Sequence, residues 1–572
     1  MTRAQALVTT LLTALLAVAT AAIASDTRAG PPAGPLGYAE LVALTRDFTA
    51  FREPVMVQGI ADHSSAAVAL KRAGTARFHQ RLRQMNVAAW PRPQQVDWLL
   101  VRSMLDQYEF ELAVTRPWAR DPGFYLDPLL QTAFTELPVE GEALGSLRKI
   151  LRAVPPTLAA AERNLDTVAA DYADLALRNL ERADGVGHEQ PVRSVPPAGV
   201  IGWYADLLGR ARAVQPALVE DIEAASRSLV AYRDWLKQNR SRMTGKAGVG
   251  RENLDWYLKQ ARLLPWNTDQ LLSLGQREFE RTTSLLVFER QRNRALPALE
   301  PATSKDEYER RIAEADRQIR RFILERDILT IPDYVGEFDH NVPWTVRPGG
   351  LNFWEQIQFR DPRPDHVHAV IPGHRFDQLL ADHSAHPIRA GYSDGARVEG
   401  WGVYLEELFL QLGLLEDLPR TRELFHIFGI KRAVRVNADL RMQLNEINVP
   451  EAVGYMRSRV PWLDEDVARV DAEIYLRQPP GYGFGYTIGK LQIERLLADR
   501  SRQLGDAFSL RGFHDEFLAA GRMPVALIRY ELTGLDDEIG PMWERAPLPV
   551  LGLIPNSIGL QIPLSNTLRD DH

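Results

Sequence analysis

Across the middle of this 572-residue chain the apolar positions recur every three or four residues, the period of helices that bury one face. Between Ser304 and Arg326 this places Tyr308, Ile312, Ala315, Ile319, Phe322 and Ile323 on one side, with Glu, Asp and Arg on the other. Ser304 and Glu307 stand at the spacing of a capping box, so a helix is predicted to start there. A second is predicted from Asn267, with Gln270 three residues on and Leu271, Leu272, Gly275 and Phe279 as its buried stripe. Pro265 and Pro301 punctuate the approaches to both. Strand-like alternation is sparse. Its best instance runs from Asp327 to Arg360, where Thr, Val, Trp, Phe and Ile alternate with polar residues and with Pro332, Pro343 and Gly349-Gly350. No fixed-period repeat or heptad seam is present. The pattern predicts a mainly α protein with a small strand region before a histidine-rich segment. Two helical lobes, about 38–300 and about 301–572, are expected to share one cleft within a single domain.

The first residues break this pattern. Arg3 precedes an apolar stretch from Leu7 to Ile23, and Ala22 and Ala24 flank Ile23 before the polar Ser25-Asp26. This predicts a secretory signal over residues 1–24, cleaved after Ala24. A retained anchor is disfavoured by Thr9, Thr10, Thr13 and Thr20. Residues 25–37, rich in Gly, Pro and Ala, read as a flexible leader. No second candidate span follows, so the expected destination is the periplasm or the medium, with no stable membrane span after cleavage. The chain has no cysteine, which excludes a disulfide framework and a lipid-carrying N-terminal cysteine. Its fold must rest on the core that 45% apolar residues can build.

Charge narrows the partners. The formal net charge is −7, and losing Arg3 with the signal leaves 67 basic against 75 acidic side chains. The signs are interspersed, as in Glu307-Tyr308-Glu309-Arg310-Arg311, so a nucleic-acid partner is not expected.

Histidine carries the candidate chemistry. Of 12 in the chain, five fall between positions 366 and 386: His366, His368, His374, His383 and His386. Pro372 is placed to open a helix, with His374 in its first turn. Twenty-five residues beyond His374, Glu399 begins the helical stretch Glu399-Gly400-Trp401-Gly402-Val403-Tyr404-Leu405-Glu406 and offers a carboxylate. Two imidazoles and one carboxylate, with a position left for water, form the ligand set of hydrolytic zinc sites. His368 and His374 are six apart across Pro-Gly, so a plain helix would point them apart. They converge if His368 ends a loop and His374 begins a helix, or if Pro-Gly forces a bulge. The alternative is surface or capping histidines. Trp401 and Tyr404 read as core, His514 as a cap or packing residue, His383 and His386 as exposed, and Gln443 and Glu446 as possible cleft residues. The run Gly481-Tyr482-Gly483-Phe484-Gly485 before Tyr486 fits either a substrate-binding loop or packing onto a helix.

Together, His368 to His374 (His-x-x-x-Pro-Gly-His), Glu399 to Glu406, Tyr486-Thr487-Ile488-Gly489 and Phe513-His514-Asp515 resemble a large bacterial family of unknown function. That family is treated as candidate zinc peptidases related to thimet oligopeptidase and the Taq carboxypeptidases. Leu263-Leu264-Pro265-Trp266-Asn267-Thr268 extends the resemblance over most of the chain. It implies a zincin-like helical clam-shell whose cleft takes a peptide or small molecule. It further implies Zn²⁺ held by His368, His374 and Glu399, and Tyr486 as the phenol that stabilises an oxyanion. The departures concern chemistry. The family's general-base glutamate is Ala369, its second histidine after Pro-Gly-His is Arg375, its Asp-x-Gly-x-His is Asp439 to Gln443, and the Gln of its Pro-Gly-Gln is Tyr482. The expectation is a metallopeptidase-like protein, with Asp365, Asp377 or Glu406 as replacement base, or a pseudoenzyme that binds peptides or partners without cleaving them.

Overall fold

In the computed structural model, which describes residues 33–182, 199–346 and 349–549, the helices start where local caps put them. Eight of them position the site: α1 (Arg92–Phe110), α2 (Thr268–Arg292), α3 (Lys305–Glu325), α4 (His374–Asp382), α5 (Gly395–Leu412), α6 (Thr421–Gln443), α7 (Glu465–Arg477) and α8 (Tyr482–Leu504). Asn267 and Gln270 form a reciprocal capping box at α2. At α3 the Ser304 side chain accepts from the Glu307 N–H, but the Glu307 carboxylate reaches one residue further back, to the Thr303 N–H at 2.9 Å. The predicted stripe of α3 is buried through Tyr308, Ala315, Ile319 and Ile323.

The protein is mainly α. The only strands among the described residues are β1 (Met56–Val57) and β2 (Ile60–Ala61), an antiparallel pair turned at Gln58-Gly59. The strand region predicted between Asp327 and Arg360 does not form. Irregular chain there leads to a short helix, Phe353–Gln358. Its alternating aromatics pack on α3 instead: Phe359 lies 4.7 Å from Tyr308 and 4.6 Å from Trp344, and the Tyr308 hydroxyl donates to the Val342 carbonyl. Proline and glycine interrupt any ladder, and one-sided burial against a helix leaves the same period-two trace in the sequence as a sheet.

The predicted signal, residues 1–24, lies outside the described residues, as does most of the predicted leader. Within that leader, Gly34 and Leu36 donate backbone hydrogen bonds to Met85 and Gln84. No helix among the described residues is long and apolar enough to cross a membrane.

α6 is buried on nearly every side, which makes it the axis of the C-terminal half. α5 and α8 cross beside it at glycines. A Cβ on Gly489 would lie 1.9 Å from the Ala396 carbonyl oxygen, and one on Gly400 would lie 2.5 Å from the Gly489 Cα. Ion pairs tie the two halves of the chain together: Arg389 to Asp97 at 2.7 Å, Arg477 to Asp121 at 2.7 Å and Arg545 to Asp106 at 2.6 Å. Between them a cavity of about 780 Å³ opens, lined by α1, α7 and the turn leading into α8.

Candidate metal centre

The site starts from a break in the helical ladder. After Asp365 the chain widens into a π turn, His366–Val370, closed by the Ile371 N–H on the His366 carbonyl at 3.0 Å. Pro372, which has no N–H, follows across a cis bond. Gly373 then folds against the turn so closely that a Cβ there would lie 1.9 Å from the His368 carbonyl oxygen. α4 starts at once with His374. The six-residue spacing thus becomes a close edge-to-face approach, with the two imidazole centroids 4.6 Å apart and the rings at 80° to each other. Of the two routes by which the pair could converge, the chain combines parts of both: a π bulge just before Pro-Gly, and a helix that begins at His374.

Glu399 reaches the same point from the second turn of α5. Its Oε2 lies 3.2 Å from His374 Nε2 and 3.4 Å from His368 Nε2. One ligand atom from each of the three residues lies within 4.8 Å of the others. Donors about 2.0–2.2 Å from one tetrahedral ion sit roughly 3.3 Å from each other, so the residues fit a zinc-sized cation. Burial disfavours charge on Glu399, but the His374 and His368 rings outweigh it and hold the carboxyl well below its usual range.

Glu406, seven residues along α5 and so on the same face, places Oε1 2.7 Å from His368 Nδ1, off the ideal N–H line. Arg432 of α6 donates to that oxygen at 3.2 Å. A carboxylate behind a ligating histidine fixes its ring and tautomer. On His368, burial and Arg432 push the pKa down while Glu406 and Glu399 push it up, and the net direction is up. Gly402 is required for this placement, because a Cβ there would lie 2.5 Å from His368 Cε1 and Nδ1.

The phenol on Glu399 is Tyr482. Its hydroxyl donates to Glu399 Oε1 at 3.3 Å, and the Tyr486 hydroxyl donates to Tyr482 at 3.3 Å. Tyr486 therefore stands one hydrogen bond behind, its ring 6.3 Å from His368 and 4.3 Å from the Arg435 guanidinium. Burial first, then Glu399, pushes Tyr482 up to about 12. The glycine-rich run is the opening of α8. Gly481 takes φ +107°, and Asp439 accepts from the N–H groups of Gly483 and Phe484 at 2.9 and 3.2 Å.

The other histidines have structural partners. His366 contacts Asp316 and stacks on His340, and buried His514 bridges Tyr404 and the Ile328 carbonyl. Trp401 is core and donates to the Pro372 carbonyl. His383 is exposed, as expected. His386 is half-buried instead, because its Nδ1 accepts from the N–H groups of Ile388 and Arg389. Gln443 lines the cavity, whereas Glu446 is exposed and pairs with Arg441. Arg375 donates to the Asp339 carbonyl. Sequence reasoning missed two features: Tyr482 as the phenol on Glu399, although it stands four residues before Tyr486 on one helix face, and Glu406 as the support for His368.

Comparison with known proteins bears on the fold and on part of the sequence. No curated protein matches the chain. Two solved structures share the fold. One is described as a putative lipoprotein of unknown function from Shewanella oneidensis, 17% identical, TM-score 0.65, covering 86% of this chain and 99% of that one. The other is a putative lipoprotein from Colwellia psychrerythraea, 15% identical, TM-score 0.62, covering 86% and 98%. Residues 366–532, which begin with the π turn and contain every residue of the candidate centre, match the family described as bacterial protein of unknown function (DUF885).

Proposed function

We propose that this is an exported protein that holds zinc between His368, His374 and Glu399 and acts on peptides that enter the adjoining cleft. One observation carries the reading. Glu399 is a largely buried carboxylate that no lysine or arginine among the described residues pairs with, while two imidazole nitrogens converge on one of its oxygens. Such a charge is costly unless a cation joins it.

Zinc in a set of this kind supplies a Lewis acid that polarises a carbonyl and acidifies water. The chain's own residues set the rest. His374, as the first residue of α4, is held by the helix with its Nε2 3.2 Å from the Glu399 carboxylate. Glu406 holds the far side of the His368 ring. Tyr482, backed by Tyr486, offers hydroxyls to an oxygen that gains negative charge.

A second reading, a binding protein with the cleft but little turnover, is favoured by the carboxylate inventory. Ala369 has no proton-accepting group, and the expected replacements are engaged. Asp377 pairs with Arg397 at 2.5 Å and Arg522 at 3.4 Å, Asp365 accepts from Asn341, and Glu406 serves His368.

Elemental analysis of the full chain, purified without chelators, tests the first reading. It expects roughly one equivalent of zinc, and less than about a tenth overturns it. Ala369→Glu separates the two readings. Restored general-base help is expected to raise cleavage of a broad peptide library by about a hundredfold. Zinc retained with no cleavage by either protein, at unchanged circular dichroism, establishes the binding-only reading.

A further inference from the structure

The cavity beside the candidate centre has a charge pattern of its own. Tyr482 forms part of its wall and also donates to Glu399, so a ligand that fills the cavity has one end at the centre. About 780 Å³ is the size of a small-molecule or short-peptide site. Five tyrosines line it, among them Tyr108 and Tyr482.

Four carboxylates line it as well, Glu111, Asp121, Asp127 and Glu473, against two guanidinium groups, Arg52 and Arg477. Arg477 is shared among three of the carboxylates: Asp121 at 2.7 Å, Asp127 at 2.8 Å and Glu473 at 3.0 Å. Arg52 lies against the rings of Tyr108 and Phe48. The fourth carboxylate, Glu111, has no hydrogen bond or ion pair to its side chain among the described residues. It begins a π turn, Glu111–Thr115, at the end of α1, a backbone irregularity that re-aims side chains and recurs at functional sites. Burial pushes its carboxyl up, partly offset by Arg52. Aromatic faces and one unpaired carboxylate, Glu111, around a single cavity are complementary to an organic cation.

We infer that this cavity binds the positively charged group of a peptide, a free amino terminus or a Lys or Arg side chain, with Glu111 as its principal anion. The inference rests on the peptide reading of the cleft but on neither zinc nor turnover. A binding measurement therefore tests it separately.

Calorimetric titration of the full-length protein is run with three tetrapeptide amides: free-amine tetra-alanine, its N-acetylated form, and an N-acetylated form with one lysine. Either cationic peptide is expected to bind about tenfold more tightly than the neutral one, the factor that one charge-assisted contact of about 1.4 kcal/mol gives. Which of the two gains identifies the source of the charge. Glu111→Gln is expected to erase the preference, whereas Glu399→Gln is expected to keep it. Equal affinity for neutral and cationic peptides, no binding of any of the three, or an unchanged preference in Glu111→Gln overturns the inference. A protein without zinc or peptidase activity that still prefers the cationic peptides refutes the proposed function and leaves the inference standing.

Discussion

Among the described residues, two places bring histidine and carboxylate within reach of a single cation, and they have opposite fates. In the C-terminal half the atoms of His368, His374 and Glu399 converge; in the N-terminal half those of His79, Asp106 and Glu109 do. The second group already has its cation. Arg545 sits on Asp106 at 2.6 Å and on Glu109, Arg102 lies 3.3 Å from Asp106, and His79 Nε2 is 3.1 Å from Glu109. Among the described residues, the groups that contact the Glu399 carboxylate are imidazoles and a phenol. Proximity of ligand atoms is common to both, so charge compensation separates them. A guanidinium fixes a fold at one cluster, and its absence leaves room for an ion at the other.

The largest expected effect breaks the comparison if it fails. Glu399→Gln keeps the shape and removes the charge, and zinc content should fall from roughly one equivalent to below about a tenth. His79→Gln should leave it unchanged. If instead His79→Gln strips the metal and Glu399→Gln does not, the two clusters have been assigned the wrong way round.

Gly402→Ala comes next. The new Cβ meets the His368 ring at 2.5 Å, and the ring must leave its place between Glu399 and Glu406. Zinc affinity should drop by between about tenfold and a hundredfold, the usual range for disturbing the support of a ligand. Gly395→Ala on the same helix, where a Cβ meets nothing within 4 Å, is the control and should not change it. Competition with a chromophoric chelator reads both, and equal affinities would show that the ring has another stable position.

At the other cluster the expected change is in stability. Arg545→Met leaves Asp106, which is fully buried, with Arg102 and His79 only. Because Glu109 is a third exposed and partly screened by solvent, the loss should be about 2 kcal/mol in chemical unfolding rather than the full cost of an orphaned buried charge. A cost near zero would mean that the guanidinium is not what holds this cluster closed.

The sequence showed these regions unequally, for physical reasons. Capping residues act over three or four positions, so Asn267-Gln270 and Ser304-Glu307 were visible as helix starts. The spacing of His368 and His374 leaves convergence open, through a loop-to-helix junction or a bulge at Pro-Gly, and what decides it is a π turn that no residue of the segment announces. Tyr482 was hidden because it stood only as a replacement for a family glutamine. Its spacing to Tyr486 was the available signal, since residues four apart share a helix face. Glu406 is one of three carboxylates the sequence offers as a replacement base, but seven residues from Glu399 on one helix it shares the face that supports His368. The His79 cluster was not legible at all. Its fourth member, Arg545, arrives from the far end of the chain, and no local pattern encodes such a pairing.

The smallest expected effect sharpens the comparison by testing a carboxylate that belongs to neither cluster, yet holds up one of them. Asp439 caps the helix that carries Tyr482 and Tyr486, and burial raises its pKa to about 7 against the backbone donors of Phe484 and Gly483 and the charge of Arg262. A carboxyl whose folded value lies above its ordinary 3.8 binds a proton more tightly in the folded state. Its contribution is complete below that ordinary value and is lost as pH rises through about 7. Between those limits the wild-type protein should lose up to about 1.4 kcal/mol of stability per pH unit from this group. Asn at 439 can still accept from both N–H groups but cannot titrate. Urea unfolding of Asp439→Asn and wild type at pH 5 and pH 7 should therefore show a flatter profile for the variant. Parallel profiles would mean that the cap is already ionised at pH 5, with its two N–H donors outweighing burial.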